Sequence, residues 1–270
     1  MAIITLSREM GSLGKDIART LEKELNLNYL DKESLELMLT NYGITEAEVE
    51  KYDEKKPSFW TSFFSERNRY LHFLKTAVYT FARKSPCVIL GRGGQALFQN
   101  VPGVLKVRVI APPEQRLERI KQRFNCSDRQ AKQIIDHSDH DRSGFHKMFF
   151  NIPWERPNLY DLVINTGLLS VAAAAALIKD ALHEIGKAPV EAELKLKDLC
   201  LAQEVVTRIL YTEKLSINLL EVISTDGVVL LKGNAGTQAI IDSCKQMVEE
   251  MPGVKEVLSE LYFEPQYVGV

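Results

Sequence analysis

Hydrophobic and polar residues follow two alternating patterns along the chain. Short apolar runs predict strands, and "CVILG" at 87–91 is apolar on both faces, as expected in a parallel sheet covered by helices. The predicted strands are residues 2–6, 87–91, 105–112 and 160–166, with a further short one in "LNYLDKE". Between them apolar residues recur at the spacing of one helix face, and Ile17, Leu21 and Leu25 are the first example. This alternation predicts an α/β fold with a mostly parallel sheet.

The pattern changes in the last third of the chain. Residues 196–211 predict a helix, and "LLEVISTDGVVLLKG" predicts a hairpin because Asp226 and Gly227 form a pair favoured in tight turns. A helix at about 236–250 and a last strand in "GVKEVLSELYF" complete a small αββαβ unit. We therefore expect a second domain, joined to the first by a linker near 187–194.

Composition and charge narrow the class of protein. The formal net charge is −2, so no global excess of positive charge points to nucleic acid or to an anionic membrane as a partner. The longest apolar run, "VAAAAALI", is too short to span a bilayer, and the first residues lack a signal-peptide pattern. The four cysteines are far apart and lack zinc-site spacing, as in a reducing compartment. We expect a cytoplasmic protein without stable membrane association.

The segment "SREMGSLGKDIA", residues 7–18, connects the first strand to the first helix. Gly11 and Gly14 permit backbone turns that other residues rarely make, and the first amides of a helix attract anions. Lys15 can reach a phosphate oxygen from this position. The residues of this segment alone leave two interpretations open: a phosphate-binding loop, or a plain strand–helix turn with a solvated lysine.

Three segments together resemble the cytidylate kinase-like family, which consists of P-loop proteins related to nucleoside monophosphate kinases. They are "ITLSREMGSLGKDIARTLEKELNLNYLDKE", "CVILGRGGQALFQNVPGVLKVRVIAPPEQRLERI" and "FFNIPWERPNLYDLVINTGLLSVAAAAALI". The resemblance covers roughly residues 2–185. It implies a first domain at 1–187 with a three-layer α/β/α P-loop kinase core and a parallel sheet. It also implies ATP and Mg²⁺ as cofactors, nucleotide substrates and a mobile lid.

The resemblance assigns roles to individual residues. The ATP phosphates would be wrapped by the loop from Glu9 to Asp16, with Lys15 bridging the β- and γ-phosphates. The ATP-binding residues implied are Gly11, Ser12, Gly14, Lys15, Asp16, Arg119 and Arg123. Asp31 in "NYLDKE" would lie near the acceptor nucleotide, and Arg92 in "ILGRGG" would hold the acceptor phosphate, for which a bidentate guanidinium is well suited.

The stretch "DHDRSGF" resembles the family's lid motif, with Asp139 and Arg142 three residues apart. In a kinase a lid arginine stabilises charge on the transferring phosphoryl group. We therefore assign Lys15, Asp139 and Arg142 as the catalytic candidates. Arg116 lies on the same predicted helix face as Arg119, and we expect it to be part of a solvated basic surface.

Two departures from the family pattern concern magnesium. Asp16 stands where a magnesium-binding Ser or Thr is expected, and Leu90 replaces the Asp that precedes the Gly-Arg pair in cytidylate kinases. Asp16 is our candidate metal ligand, because carboxylate oxygen suits Mg²⁺. The alternative is that Asp16 only complements the helix dipole. Glu9 is a second acid expected close to the ATP phosphates.

The C-terminal unit resembles a BON domain at about 195–266. The match rests on "LKDLCLAQEVVTRIL", "GVVLLKGNAG" and "MVEEMPGVKEVLSEL". That family is associated with phospholipid or ligand binding, but no cationic cluster here would hold a lipid surface. An intramolecular, a ligand-sensing and a dimerising role stay open, and the last implies a homodimer. The ligand of this unit is unknown.

Three functions remain for the whole chain. The first is ATP-dependent phosphoryl transfer to a nucleoside monophosphate, CMP or dCMP. The second is a nucleotide-binding sensor without kinase activity, and the third is a kinase of another small metabolite. The missing magnesium anchors favour the last two, whereas Lys15, Arg92, Asp139 and Arg142 favour the first.

Overall fold

The computed structural model describes residues 2–52, 64–185 and 189–264. The chain divides into two compact units, Met1–Ala192 and Glu193–Val270. Each unit contains one sheet, with five strands in the first and three in the second.

The first unit alternates strands and helices, as the sequence pattern predicts. Its strands are β1 (Ile3–Arg8), β2 (Asn28–Leu30), β3 (Cys87–Leu90), β4 (Val104–Ile110) and β5 (Leu162–Asn165). Its helices include α1 (Gly14–Leu25), α2 (Lys32–Asn41), α3 (Glu46–Tyr52), α4 (Phe64–Lys84), α5 (Gly94–Leu97), α6 (Pro113–Phe124), α7 (Asp128–Phe150) and α8 (Val171–Ile185). A short 3₁₀ turn, Pro157–Leu159, precedes β5.

The five strands form one parallel sheet in the order β2-β3-β1-β4-β5. Because all strands run the same way, their carboxyl ends lie along one edge. The segments that leave this edge begin at Glu9, Asp31, Gly91, Ala111 and Thr166. A ligand site of an open α/β sheet is formed at this edge.

The two faces of the sheet differ in polarity. On one face Ile4 and Leu6 of β1 pack in an apolar core with α1 and α8, including Ile17 and Ile178. Alternate residues of a strand point to opposite faces, and towards the carboxyl end of β1 the buried residues of the other face are polar, namely Thr5 and Ser7. A polar cluster therefore lies under the sheet's second face, next to the carboxyl edge.

Asp139 and Arg142 lie in the middle of a helix. They were expected in a lid, and α7 carries them through its 23 residues without interruption. The helix begins with a capping box, in which the Ser127 side chain and Gln130 satisfy each other's backbone amides. The side chains at 139 and 142 therefore have a rigid support, three residues apart on one helix face.

The second unit has the predicted αββαβ order. Helix α9 (Pro189–Val206) continues into a π-helical segment, Thr207–Thr212, and is followed by β6 (Ile217–Thr225), β7 (Val228–Ala235), α10 (Gln238–Glu249) and β8 (Glu256–Phe263). Asp226 and Gly227 form the β6–β7 turn, with φ of 49° and 81°. Both values are positive, as the predicted Asp-Gly turn requires. The segment expected as a linker, near 187–194, contains the boundary between the two units. It is partly helical, because α9 begins within it, at Pro189.

Two further expectations concern membranes and cysteines. In the described parts of the chain, no helix has the length and apolar character needed to cross a bilayer. The four cysteines are free thiols. Burial raises the pKa of Cys87 in β3 to about 12, so this thiol has the character of a small apolar core residue.

Candidate functional site

The β1–α1 loop, residues 9–13, has the backbone shape of an anion site. Gly11 and Leu13 have positive φ values of 81° and 64°, and α1 begins directly afterwards at Gly14. Space is also limited: a Cβ on Gly14 would lie 2.5 Å from the Cβ of Arg8. Glycine at 11 and 14 therefore serves the turn and the close approach, as the sequence predicts.

The carbonyl groups of this loop are held by side chains from outside it. Arg116 Nε donates to the Met10 carbonyl at 2.7 Å, and Arg119 Nη1 donates to the Gly11 carbonyl at 3.1 Å. The Ser12 carbonyl accepts from Thr166 Oγ1 at 3.0 Å. Because C=O and N–H point in opposite directions across a trans peptide, fixing the carbonyls also fixes the direction of the next amides.

Several amides of the loop and of the first turn of α1 have no acceptor. Among the described residues, nothing accepts from the backbone N–H groups of Gly11, Leu13, Gly14, Lys15 and Asp16. Free amides at a helix N-terminus, together with the helix dipole, are a site for phosphate. Lys15 is exposed beside them. Its ammonium group adds the positive charge that the Gly-Lys pair predicts.

Asp139 connects the loop to α7. Its Oδ1 accepts from the Met10 amide at 2.9 Å and from Arg142 Nη1 at 3.0 Å, and its Oδ2 accepts from Arg116. The structure therefore places Asp139 against the loop, with Arg142 paired to it on α7. Arg116 differs from expectation: only 11 % of its side chain is exposed, so it is not part of a solvated surface.

Glu9 is paired with two guanidinium groups. Its Oε1 lies 3.2 Å from Arg108 Nη2, and its Oε2 lies 3.4 Å from Arg116 Nη1 and accepts from the Ala111 amide at 3.4 Å. A carboxylate with these partners is neutralised locally. The repulsion that the sequence suggested between Glu9 and a bound phosphate is therefore offset within the protein.

Arg108 belongs to the polar cluster under the sheet. Its side chain is 4 % exposed, donates to the Trp154 carbonyl at 3.1 Å and stacks over the Trp154 ring at 4.2 Å. Trp154 Nε1 donates to Ser7 Oγ at 2.7 Å, and the Tyr160 hydroxyl donates to the Trp154 carbonyl at 2.9 Å. Burial raises the pKa of Tyr160, although Ser7 and Arg108 oppose this rise. The cluster fixes the segment between α7 and β5 onto the sheet.

The acceptor candidate Arg92 follows β3 at the same edge. It is 3 % exposed and has a φ of 59°, between Gly91 at 79° and Gly93 at 69°. A Cβ on Gly93 would lie 2.3 Å from the ring of Phe150, the last residue of α7. The Gly-Arg-Gly sequence therefore makes a left-handed turn beneath the end of α7, and this turn buries the arginine.

Asp31, the other residue expected near the acceptor nucleotide, has a structural role in the ligand-free protein. It is the N-cap of α2, and its Oδ1 accepts from the Ser34 amide at 3.1 Å. Its Oδ2 lies 3.4 Å from Arg19 Nη2. The residue lies at the carboxyl edge of the sheet, as the sequence predicts, but at the end of β2, an outer strand.

The two candidate ATP arginines on α6 occupy different places. Arg119 is in the site: besides Gly11 it contacts Thr166, whose carbonyl accepts from Nη2 at 2.8 Å. Arg123 is exposed, with its guanidinium 5.4 Å from the centre of the Phe124 ring, and it forms no hydrogen bond with the β1–α1 loop.

The residues available for magnesium are few. Asp16 is exposed in the first turn of α1, whereas Leu90 is buried and belongs to the apolar core. Within residues 2–52, 64–185 and 189–264, no group of three or more His, Cys, Asp or Glu side chains could hold a metal ion. Mg²⁺ is commonly bound through one or two carboxylates, waters and substrate phosphates. Asp16 beside the free amides fits that arrangement as a single protein ligand.

Sequence reasoning missed Arg108, Thr166 and Trp154. Arg108 gave a signal, because it is a charged residue within a predicted strand of a parallel sheet covered by helices, where charged residues are rare. A buried arginine needs a partner, and Glu9 is that partner. Thr166 and Trp154 gave no comparable signal.

A five-stranded parallel sheet flanked by helices, whose first strand leads through a glycine loop into a helix, is like that of P-loop kinases, and the free amides agree with it. The chain belongs to the cytidylate kinase-like family, whose model matches residues 3–168. Residues 197–265 match the model of the BON domain. Both resemblances drawn from the sequence are thereby confirmed.

The solved structures that match this chain share little sequence with it. An uncharacterized protein from Eubacterium ventriosum has a TM-score of 0.53 at 19 % identity, covering 68 % of this chain and 99 % of its own. The shikimate kinase of Bacteroides thetaiotaomicron has a TM-score of 0.40 at 14 % identity, covering 67 % and 98 %. A sugar kinase from Janibacter sp. has a TM-score of 0.41 at 14 % identity, covering 71 % and 98 %. No curated protein matches the sequence. Family membership supports a phosphotransferase.

Proposed function

We propose that the protein transfers the γ-phosphoryl group of ATP to a nucleoside monophosphate, with CMP or dCMP as the acceptor. The observation that carries this proposal is the set of free amides beside Lys15, since it is a phosphate site at the start of a helix. Its second support is that Asp139 holds Arg142 next to the same loop. We further propose domain bounds near 1–187 and 195–266.

The residues divide the work of phosphoryl transfer, which is mostly positioning and electrostatic stabilisation. The free amides and Lys15 hold the β- and γ-phosphates of ATP. Arg92 holds the acceptor phosphate, and its left-handed turn limits its movement. Arg142 stabilises the charge that develops on the transferring group. Mg²⁺, held by Asp16 and the phosphates, would neutralise phosphate charge.

An ADP-release assay across the nucleoside monophosphates, with Mg²⁺ and with Mn²⁺, tests the proposal. We expect turnover with CMP or dCMP, and loss of turnover in Lys15→Ala. A protein that turns over none of these acceptors at millimolar concentration is not a nucleoside monophosphate kinase.

A nucleotide sensor is the second candidate, and the residues at 16 and 90 favour it, because neither usual magnesium anchor is present. It predicts that ATP raises the thermal stability of the chain although turnover is absent. A ligand at 100 times its dissociation constant contributes about 2.7 kcal/mol to stability. A kinase of another metabolite predicts turnover only with a different acceptor, which substrate profiling against Lys15→Ala would find.

A further inference from the structure

We propose that Arg116 is a positioning residue, which fixes the β1–α1 loop and, through Asp139, ties this loop to the helix that carries Arg142. This inference deepens the proposed function and rests on it for the identity of the ligand. It concerns a residue that the sequence pattern assigned to a solvated surface.

The first observation is a closed set of contacts around Met10. Its carbonyl accepts from Arg116 Nε at 2.7 Å, and its amide donates to Asp139 Oδ1 at 2.9 Å. Arg116 and Asp139 are in turn paired with each other. Both backbone groups of one loop residue are therefore held by two side chains that hold one another, so the peptide planes on either side of Met10 cannot rotate independently.

The second observation is the contact of the loop with the backbone of α6. A Cβ on Gly11 would lie 3.0 Å from the Arg116 carbonyl oxygen and 3.1 Å from its Cα. The loop thus rests on Arg116 main chain while the Arg116 side chain reaches past it to Met10. Residue 116 sets both the distance and the orientation of this part of the loop.

The third observation is an alternating series of charges. Arg108, Glu9, Arg116, Asp139 and Arg142 follow one another as contacting pairs of opposite sign. Arg116 is the middle member, and it pairs with both carboxylates. Removal of its guanidinium separates the series into two halves, one on the loop and β4 and the other on α7. The loop and Arg142 then lose this electrostatic connection.

Backbone exchange in the ligand-free full chain tests the inference without any assumption about substrate. We expect the Met10 amide proton to exchange at least tenfold faster in Arg116→Ala than in the wild type. Arg129→Ala is the matched control, because Arg129 is an exposed arginine on α7 and the change in charge is the same. Unchanged exchange at Met10 in Arg116→Ala overturns the inference.

The variant Arg116→Lys retains the charge, so it serves if the alanine variant does not fold. A lysine donates from a single nitrogen atom, so it cannot reproduce the planar fork of the arginine guanidinium. Faster exchange at Met10 is therefore expected in this variant also.

Calorimetry separates positioning from a general effect on folding. In Arg116→Lys we expect the dissociation constant for ATP to rise about tenfold, on the scale of one lost charge-assisted hydrogen bond, while that for CMP changes less than twofold. A purely structural role would lower the fraction of binding-competent protein and so raise both apparent dissociation constants by the same factor. Equal changes in the two constants, or no change in either, overturn the inference. If the wild type binds ATP without turnover, the proposed kinase activity fails and this test still stands. If the wild type binds no ATP, the proposed function fails and exchange at Met10 alone decides the inference.

Discussion

The two ends of the β1–α1 loop are held in different ways. At its start, Glu9 and Met10 are bound by Arg108, Arg116 and Asp139 from three other elements. Directly after its end, in the first turn of α1, the side chains of Lys15 and Asp16 are exposed and form no hydrogen bond or ion pair in the described parts of the chain. The first end gives the loop its shape, and the second end presents groups that a ligand can reach.

This difference separates two acids that look alike in the sequence. Glu9 and Asp16 are both acids close to the expected phosphate site, and an unpaired carboxylate there would repel phosphate. Glu9 is neutralised by two arginines, so its charge belongs to the framework of the loop. Asp16 has no such partner, so its charge is available to a metal ion or to the helix dipole. Of the two carboxylates, only that of Asp16 is therefore available to a ligand.

The largest expected effect is at the exposed end. Lys15→Ala should lower turnover by about 10²–10³-fold, the effect of removing one donor that stabilises transition-state charge. Its unfolding midpoint should stay at the wild-type value, because the side chain is exposed. Steady-state kinetics and thermal unfolding measure the two. Lys23→Ala, another exposed lysine on α1, is the control, and turnover of Lys15→Ala within tenfold of that control would contradict the assignment.

A change at the start of the loop, at Glu9, should instead lower the stability of the protein. Glu9→Gln leaves Arg108 buried without its carboxylate, and we expect a loss of about 2–3 kcal/mol in the free energy of unfolding, less than for a fully buried pair because part of Glu9 is exposed. Asp16→Asn should change it by less than ~0.5 kcal/mol. Urea unfolding of the first unit measures both. Equal losses in the two variants would remove the distinction between the acids.

A smaller effect is expected from crowding the junction of the loop and α1. Gly14→Ala places a Cβ 2.5 Å from the Cβ of Arg8, so strand or helix must shift. We expect a loss of about 1–2 kcal/mol, since overpacking is costly even for one methyl group, and a higher dissociation constant for ATP. Urea unfolding and calorimetry check this, with Thr20→Ala as a partly buried position on the same helix. If Gly14→Ala kept the stability and the ATP affinity of the wild type, the junction would accommodate a Cβ without a shift of strand or helix.

The smallest effect should be on metal dependence. Asp16→Asn removes the one carboxylate placed to bind Mg²⁺, so several times more Mg²⁺ should be needed for half-maximal turnover, while turnover at saturating Mg²⁺ stays within a few fold. A Mg²⁺ titration of both proteins measures this. An unchanged midpoint would leave Asp16 only its role at the helix N-terminus.

The strands and helices of this fold could be predicted from the sequence more completely than the contacts between them. Strand and helix patterns identified the parallel sheet, and the Asp226-Gly227 turn was identified from local turn chemistry. The boundary between the two units, after Ala192, lies within the segment expected as a linker. That α9 begins inside this segment was not predicted, because a polar, proline-containing stretch resembles a loop until packing is known. Arg116 shows the limit most clearly. Its helix was predicted, but which face of that helix meets the loop depends on residues more than a hundred positions earlier.

The loop's partners also have a consequence for folding. Met10 is held by Asp139 and Ser12 by Thr166, 129 and 154 positions further along the chain. Closing such long segments is slow, because their entropy must be lost before the contacts form. At a synthesis rate of about 5–20 residues per second, roughly 8–30 s separate Ser12 from Thr166. We therefore expect that the newly made loop has no fixed shape for that time, and that a chain still on the ribosome cannot bind nucleotide before β5 has joined the sheet.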